Sequence, residues 1–193
     1  MLICVFVSER LLCAVLNQSM LPWSRKSAKL SSAVAKAQAS AKGNIISALN
    51  EAVSELQYQY RNTDEPIPSN ETTARLCIAL EAVFVHGLKE TFLGRLTSRL
   101  AGQEASIASP RMPEPSFWTF ALVFSHKQVI SQVDCLSQVT SDVGKARAWL
   151  RIAFNDGLII SYLAAMIADT VSLNVHYEKF AILRYLLRTF SYR

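Results

Sequence analysis

The sequence predicts an all-α globular domain, a bundle of about seven to nine helices. Three observations carry that prediction. The chain of 193 residues is 51% hydrophobic and 18% charged, a balance that folds and buries a sizeable core. Its six Gly and six Pro are few and clustered, so long segments run between a handful of breaks. Within those segments the apolar residues recur at steps of three and four, the period of a helix.

The elements follow in order. Residues 1–26 read as an N-terminal extension. Its apolar start, MLICVFV, is interrupted by Ser8, Glu9 and Arg10 before LLCAVL resumes. That is neither the ~20 apolar residues a bilayer-spanning helix needs nor the basic start and unbroken core of a signal peptide. From Ser27 to about Tyr60, Leu30, Val34, Ala37, Ala41, Ile45, Leu49, Val53, Leu56 and Tyr60 trace one long helix, weakened at Gly43. RNTDEPIPSNETT (61–73) is a loop with two prolines and several cap formers. A second helix is expected to run to about Lys89, with Leu76, Leu80, Val83, Phe84, Gly87 and Leu88 along one face. TFLGRLTSRLAG reads as a short helix or turn, and three prolines make QEASIASPRMPEPS (103–116) an exposed loop. FWTFALVFS and HKQVISQVDCLSQV are apolar enough to be buried helices. TSDVGKARAWLRIAFNDG (140–157) is a helix marked at both ends: Ser141 or Asp142 caps its start and Gly157 ends it. LIISYLAAMIADTVSLNVHYEKFAILR supplies one or two more helices, and YLLRTFSYR ends the chain. The helical domain is therefore read as residues 27–193.

Several function classes fall away. No HExxH, nucleophile elbow, P-loop or Gly-rich dinucleotide turn occurs. The three histidines are His86, His126 and His176. Cys77 precedes His86 by nine residues on one predicted helix, a rise of about 13 Å, too far for a hydrogen-bonded dyad. The sequence thus assigns no catalytic residue, no metal ligand and no cofactor. Cys4, Cys13, Cys77 and Cys135 form no CxxC pair; Cys77 and Cys135 read as small core residues, and a reducing cytosolic compartment is the economical reading. The formal net charge of +5 favours acidic partners, but no helix-turn-helix or RRM pattern emerges, so nucleic acid is not expected.

Two basic stretches remain. Arg25, Lys26, Lys29, Lys36 and Lys42 occur with no acidic residue between Glu9 and Glu51. They support an alternative reading, a helical scaffolding domain leaning on anionic membrane, against the simpler one of a solvated face. In the 140–157 helix, Ala146, Trp149, Leu150 and Ala153 fall on the core side, while Arg147 and Arg151 stack on the polar flank. Lys145 sits near the positive dipole end, and like charges four apart cost about 0.2–0.5 kcal/mol. The helix alone disfavours this arrangement, so an acidic partner, inside or outside the chain, is expected. On the second helix His86 falls opposite the apolar stripe, between Arg75, Ala79, Ala82 and Lys89, and is expected to be exposed. Side-by-side packing of the two helices would gather His86, Lys89, Arg147 and Arg151 into one cationic patch.

LCIALEAVFVHGLKETF, then EPSFWTFALVFSHKQVISQV, then SDVGKARAWLRIAFNDGLIISYL resembles a RUN domain. The matching pattern is E-x-x-x-x-H-G-L-K, an F-W block, then D-V-G-[RK]-x-R-A-W-L-R, and the variant it most resembles is that of the pleckstrin-homology family M adaptors. The resemblance covers about residues 44–184. It implies an all-helical globule of about eight helices with no catalytic activity, an effector module for small GTPases of the Rab, Rap or Arf-like kind in their GTP form. It also implies adaptor work in endosomal and lysosomal transport and autophagy. The expected location is cytoplasmic, on the cytosolic face of endosomes or lysosomes, with membrane reached through the GTPase. Carried over, the partner-binding residues are His86, Lys89, Lys145, Arg147 and Arg151, and Trp149, Phe117 and Trp118 are core. Lys145 stands where arginine is common, which keeps the charge and loses the bidentate fork. The loop from Leu93 to Pro115 shows no usable resemblance to the family. Members usually continue into a further closing helix, so the expectation is that YLLRTFSYR substitutes for it or that the domain is truncated at its C-terminus.

Overall fold

A computed structural model describes residues 32–61, 67–89 and 115–190. The N-terminal extension, Arg25, Lys26, Lys29 and TFLGRLTSRLAG lie outside the described residues. So does nearly all of the 103–116 loop. Among the described residues the secondary structure is eight α-helices and one isolated bridge, as the all-α reading requires.

α1 (Ser32–Tyr60) is 29 residues long and passes through Gly43 without a break. A Cβ at Gly43 would meet nothing within 4 Å, so the weakness there is one of propensity alone. The predicted apolar stripe is buried only in its second half. Leu49, Ala52, Val53 and Leu56 are in the core, whereas Val34, Ala37 and Ala41 are exposed. The reason is length: α1 outruns α2 (Glu71–Val85), its 15-residue neighbour, by several turns. Asn70 caps α2 through a reciprocal box: its Oδ1 accepts from Thr73 N at 2.9 Å and Thr73 Oγ1 accepts from Asn70 N at 2.9 Å. The Asn70 side-chain amide also donates to Tyr60 Oη at 2.8 Å, tying the start of α2 to the end of α1.

α2 ends at Val85, four residues before the expected Lys89. Gly87 explains the difference. It takes a left-handed φ of +74°, and a Cβ there would lie 2.7 Å from Ala181 Cβ. The turn feeds Leu88 into an antiparallel bridge with Tyr177. Around it Glu178 N donates to Gly87 O at 2.7 Å, Lys89 N to His176 O at 2.8 Å, and the buried Tyr177 hydroxyl to Phe84 O at 2.7 Å.

The remaining helices are α3 (Trp118–Phe124), α4 (Lys127–Asp134), α5 (Asp142–Asn155), α6 (Ile159–Ala168), α7 (Thr170–His176) and α8 (Ile182–Phe190). Ser141 caps α5 by accepting from Gly144 N at 3.1 Å, and Gly157, at φ +69°, follows its end. α4 is amphipathic rather than buried: only Val129 and Val133 reach the core. Cys77 is half-buried, but Cys135, read as a core residue, is exposed just after α4. The core centres on Trp149, wholly buried, with Phe84 and Phe117 meeting its ring edge-on and Tyr162 tilted against it. Phe117 and Trp118 are buried beside it, as expected.

Candidate partner-binding surface

α5 turns Ala146, Trp149, Leu150 and Ala153 into the core, which leaves Lys145, Arg147 and Arg151 on its outer flank. The acidic partners expected for these cations lie inside the chain. Arg147 Nε donates to both carboxylate oxygens of Glu81 on α2, each at 2.9 Å. Lys145 Nζ donates to Asp134 Oδ1 on α4 at 2.9 Å. Arg151 is exposed and lies beside Cys77: burial pushes that thiol up, and the nearby guanidinium opposes the shift. Two of the three cations are thus matched by carboxylates, and the like-charge strain of Arg147 and Arg151 is relieved by Glu81. Partly exposed pairs such as these contribute about 0.2–1 kcal/mol each, so they orient side chains more than they stabilise the fold.

The pairings Cys77 with Arg151 and Glu81 with Arg147 run in opposite directions along the two chains, so α2 and α5 are antiparallel neighbours. This side-by-side packing brings the end of α2, with His86, to the same end of the pair as Lys145. His86 is not the exposed histidine the helical trace predicts. The helix stops before it, and the ring is half-buried. Its Nδ1 accepts from Ile182 N at 3.2 Å, and its ring meets Phe180 edge-on. Burial lowers its pKa, and Lys42 adds repulsion. Lys89 is likewise engaged, its Nζ donating to Asn174 O at 2.6 Å. The structure thus groups Lys145, Arg147 and Arg151 along α5 and sets His86 and Lys89 in the turn that binds the C-terminal segment.

Of the alternative basic face, Lys36 is exposed, but Lys42 is withdrawn from it. Its ammonium lies 3.2 Å from the centroid of the Tyr185 ring, and burial lowers its pKa to about 8. Sequence reasoning missed Glu81, Asp134 and the pairing of Lys42 with Tyr185. For Glu81 a signal existed: it opens the E-x-x-x-x-H-G-L-K pattern and lies four residues after Cys77 on the face that meets α5. For Lys42 and Tyr185 nothing local tells that residues so far apart in the chain meet.

Among the described residues no group of His, Cys, Asp and Glu could hold a metal ion, and no single helix is long and apolar enough to cross a membrane. Two relatives, both named "Pleckstrin homology domain-containing family M member 2", come from Homo sapiens and Mus musculus. They are 23% and 22% identical to this chain over 145 residues, 73% of its length. The chain spans 12% of the length of each of these relatives. The family model described as "RUN domain" matches residues 75–189, more than half of the chain, and takes in α2 from Arg75 onward, α5, the ion pair between them and the turn at Gly87. This chain therefore belongs to the RUN domain family.

Proposed function

We propose that this chain is a small-GTPase effector module, the recruiting part of an adaptor in endosomal and lysosomal membrane traffic, with no catalytic activity of its own. One observation carries the reading: Lys145, Arg147 and Arg151 line the outer flank of α5, three cations against the two carboxylates of Asp134 and Glu81, within the residues the family model matches. The partner is a GTPase of the Rab, Rap or Arf-like kind in its GTP form, offering acidic residues to that edge. His86 and Lys89 lie at the rim, where they shape the α2 turn as much as they touch the partner. Membrane contact is indirect, through the lipid anchor of the GTPase, and the protein works from the cytosolic face of the organelle.

The test is retention of a panel of such GTPases, loaded with a GTP analogue or with GDP, on the immobilised chain. Selective retention of a GTP form is expected; equal retention of both forms, or of none, overturns the reading. Reversing charge at Arg147 would set a second carboxylate face to face with Glu81, so the cleaner variant combines Arg147→Gln with Arg151→Glu. It should lose binding, because like charges brought together at an interface cost several kcal/mol, while circular dichroism stays that of the wild type. Binding by this variant at wild-type strength would make the edge a solvated face. Wild-type binding should also weaken with salt.

A further inference from the structure

We infer that Lys42 is an acylation site, taking the acyl group of a thioester and so removing a charge held between α1 and α8. Its position carries the argument. Gln38, Lys42, Ile45 and Leu49 recur at helical spacing along α1, the first three half-buried and Leu49 in the core, while Ala37, Ala41 and Ala48 beside them are exposed. Lys42 thus stands in the inward seam of the helix, where an apolar residue is the rule. Its ammonium rests 3.2 Å from the centroid of the Tyr185 ring on α8. Among the described residues no carboxylate pairs with it. His86, in the turn after α2, is near enough to repel it when protonated. An ammonium drawn out of water without a counter-charge is costly, and the ring face offsets only part of that cost. Burial accordingly lowers its pKa to about 8, so a substantial share of the amine is neutral near physiological pH.

The amine stays within reach. Lys42 is half-buried, not sealed, and its neighbours Ala41, Gly43 and Asn44 are exposed. A Cβ at Gly43 would meet nothing within 4 Å, which leaves open space beside the side chain for an acyl donor. The neutral nitrogen attacks the thioester carbonyl carbon. A C–N bond forms, the C–S bond breaks, and the departing thiolate takes up the proton that the nitrogen loses. The product is an uncharged amide, which escapes the ammonium's desolvation penalty and lays a flat group against Tyr185. The repulsion of His86 goes with the charge, and α8 is held more firmly to α1.

Two measurements on the whole chain test this, and neither needs a partner protein. In the first, the chain is incubated with acetyl-coenzyme A and the acetylated lysines are quantified by peptide mass spectrometry. Lys36, exposed on the same helix, is the internal comparison. Near neutral pH Lys42 should acetylate about ten-fold faster: it has about a hundred-fold more neutral amine than an ordinary lysine, and its lower basicity gives back part of that. Lys36 acetylating as fast as Lys42, or faster, overturns the site. In the second, hydrogen exchange is read at Ile182, whose N–H donates to His86, and at Tyr185, whose N–H donates to Ala181. The acetylated chain and Lys42→Gln, both uncharged there, should exchange several-fold more slowly than the wild type, whereas Lys42→Arg, which keeps the charge, should not. Exchange in Lys42→Gln as fast as the wild type's, or faster, would mean that the ammonium on the ring is what holds α8, and would overturn the inference.

Discussion

Replacing Gly87 by alanine should destabilise the domain more than the same change at Gly43 or Gly144. The residue sits at φ +74°, where a side chain costs about 1–2 kcal/mol through contact with its own backbone. The new Cβ would stand 2.7 Å from Ala181 Cβ and 2.8 Å from Ala181 Cα. Neither atom belongs to a flexible side-chain end, and Ala181 is fully buried, so the segment itself must move. Overpacking of that kind costs about 1–3 kcal/mol. Together the two effects give a loss of roughly 2–5 kcal/mol, and for a chain of this size a fall in melting temperature of about 10 °C. Differential scanning calorimetry reads it directly. Gly43→Ala is the matched control: it adds the same methyl in open space inside α1 and should raise stability by about 0.5–1 kcal/mol. If Gly87→Ala melts within a degree or so of the wild type, the turn is not held against Ala181 and the account of why α2 stops at Val85 is wrong.

Two further outcomes follow from the core and from His86. Trp149→Ala removes a wholly buried ring flanked by Phe84, Phe117 and Tyr162, so it should cost about 3–5 kcal/mol in urea titration; an unchanged midpoint would place the ring outside the core. The folded-state pKa of His86 is lowered from 6.5, by burial and then by Lys42, and its Nδ1 must keep its lone pair to accept from Ile182 N. The unfolded chain therefore binds this proton more readily, and the stability His86 contributes is complete above pH 6.5 and lost as pH falls from there through the folded value. The groups facing the ring are Lys42 from α1, Phe180 ahead of α8 and Ile182 at its start. His86→Asn keeps an acceptor without the titration, so its stability should be flatter than the wild type's between pH 7 and pH 5; an identical slope would assign the dependence to other groups.

The α5 flank was legible because it is a local property. A helix with marked ends fixes its own phase, so Trp149 inward and Arg147 outward follow from spacing alone. The need for an acidic partner was legible too, from the like-charged pair. Which carboxylate answers it was not, because Glu81 lies 66 residues away and its register against α5 is set by core packing. His86 failed for a related reason. Phase was propagated through Gly87 as though the helix continued, while tertiary contact with Ala181 makes the chain turn there. Likewise the stripe Val34, Ala37 and Ala41 has the right period but stays exposed among the described residues, since periodicity reports a face and not what covers it.

The turn after α2 also bears on the order in which the molecule assembles. The hairpin of α1 and α2 is built from near neighbours and can form early. The groups at the end of α2, by contrast, find their partners 93 to 96 residues downstream: Phe84 O waits for Tyr177, and His86 for Ile182. Closing a loop of that length costs about 4 kcal/mol of chain entropy before any contact is made. During synthesis the ribosome must therefore release the segment from Tyr177 to Leu186 before the first helices are sealed, and until then the turn stays open beside an uncovered Phe84. Docking of that segment closes loops of 93 and 96 residues, so it is the step that topology predicts to be slowest.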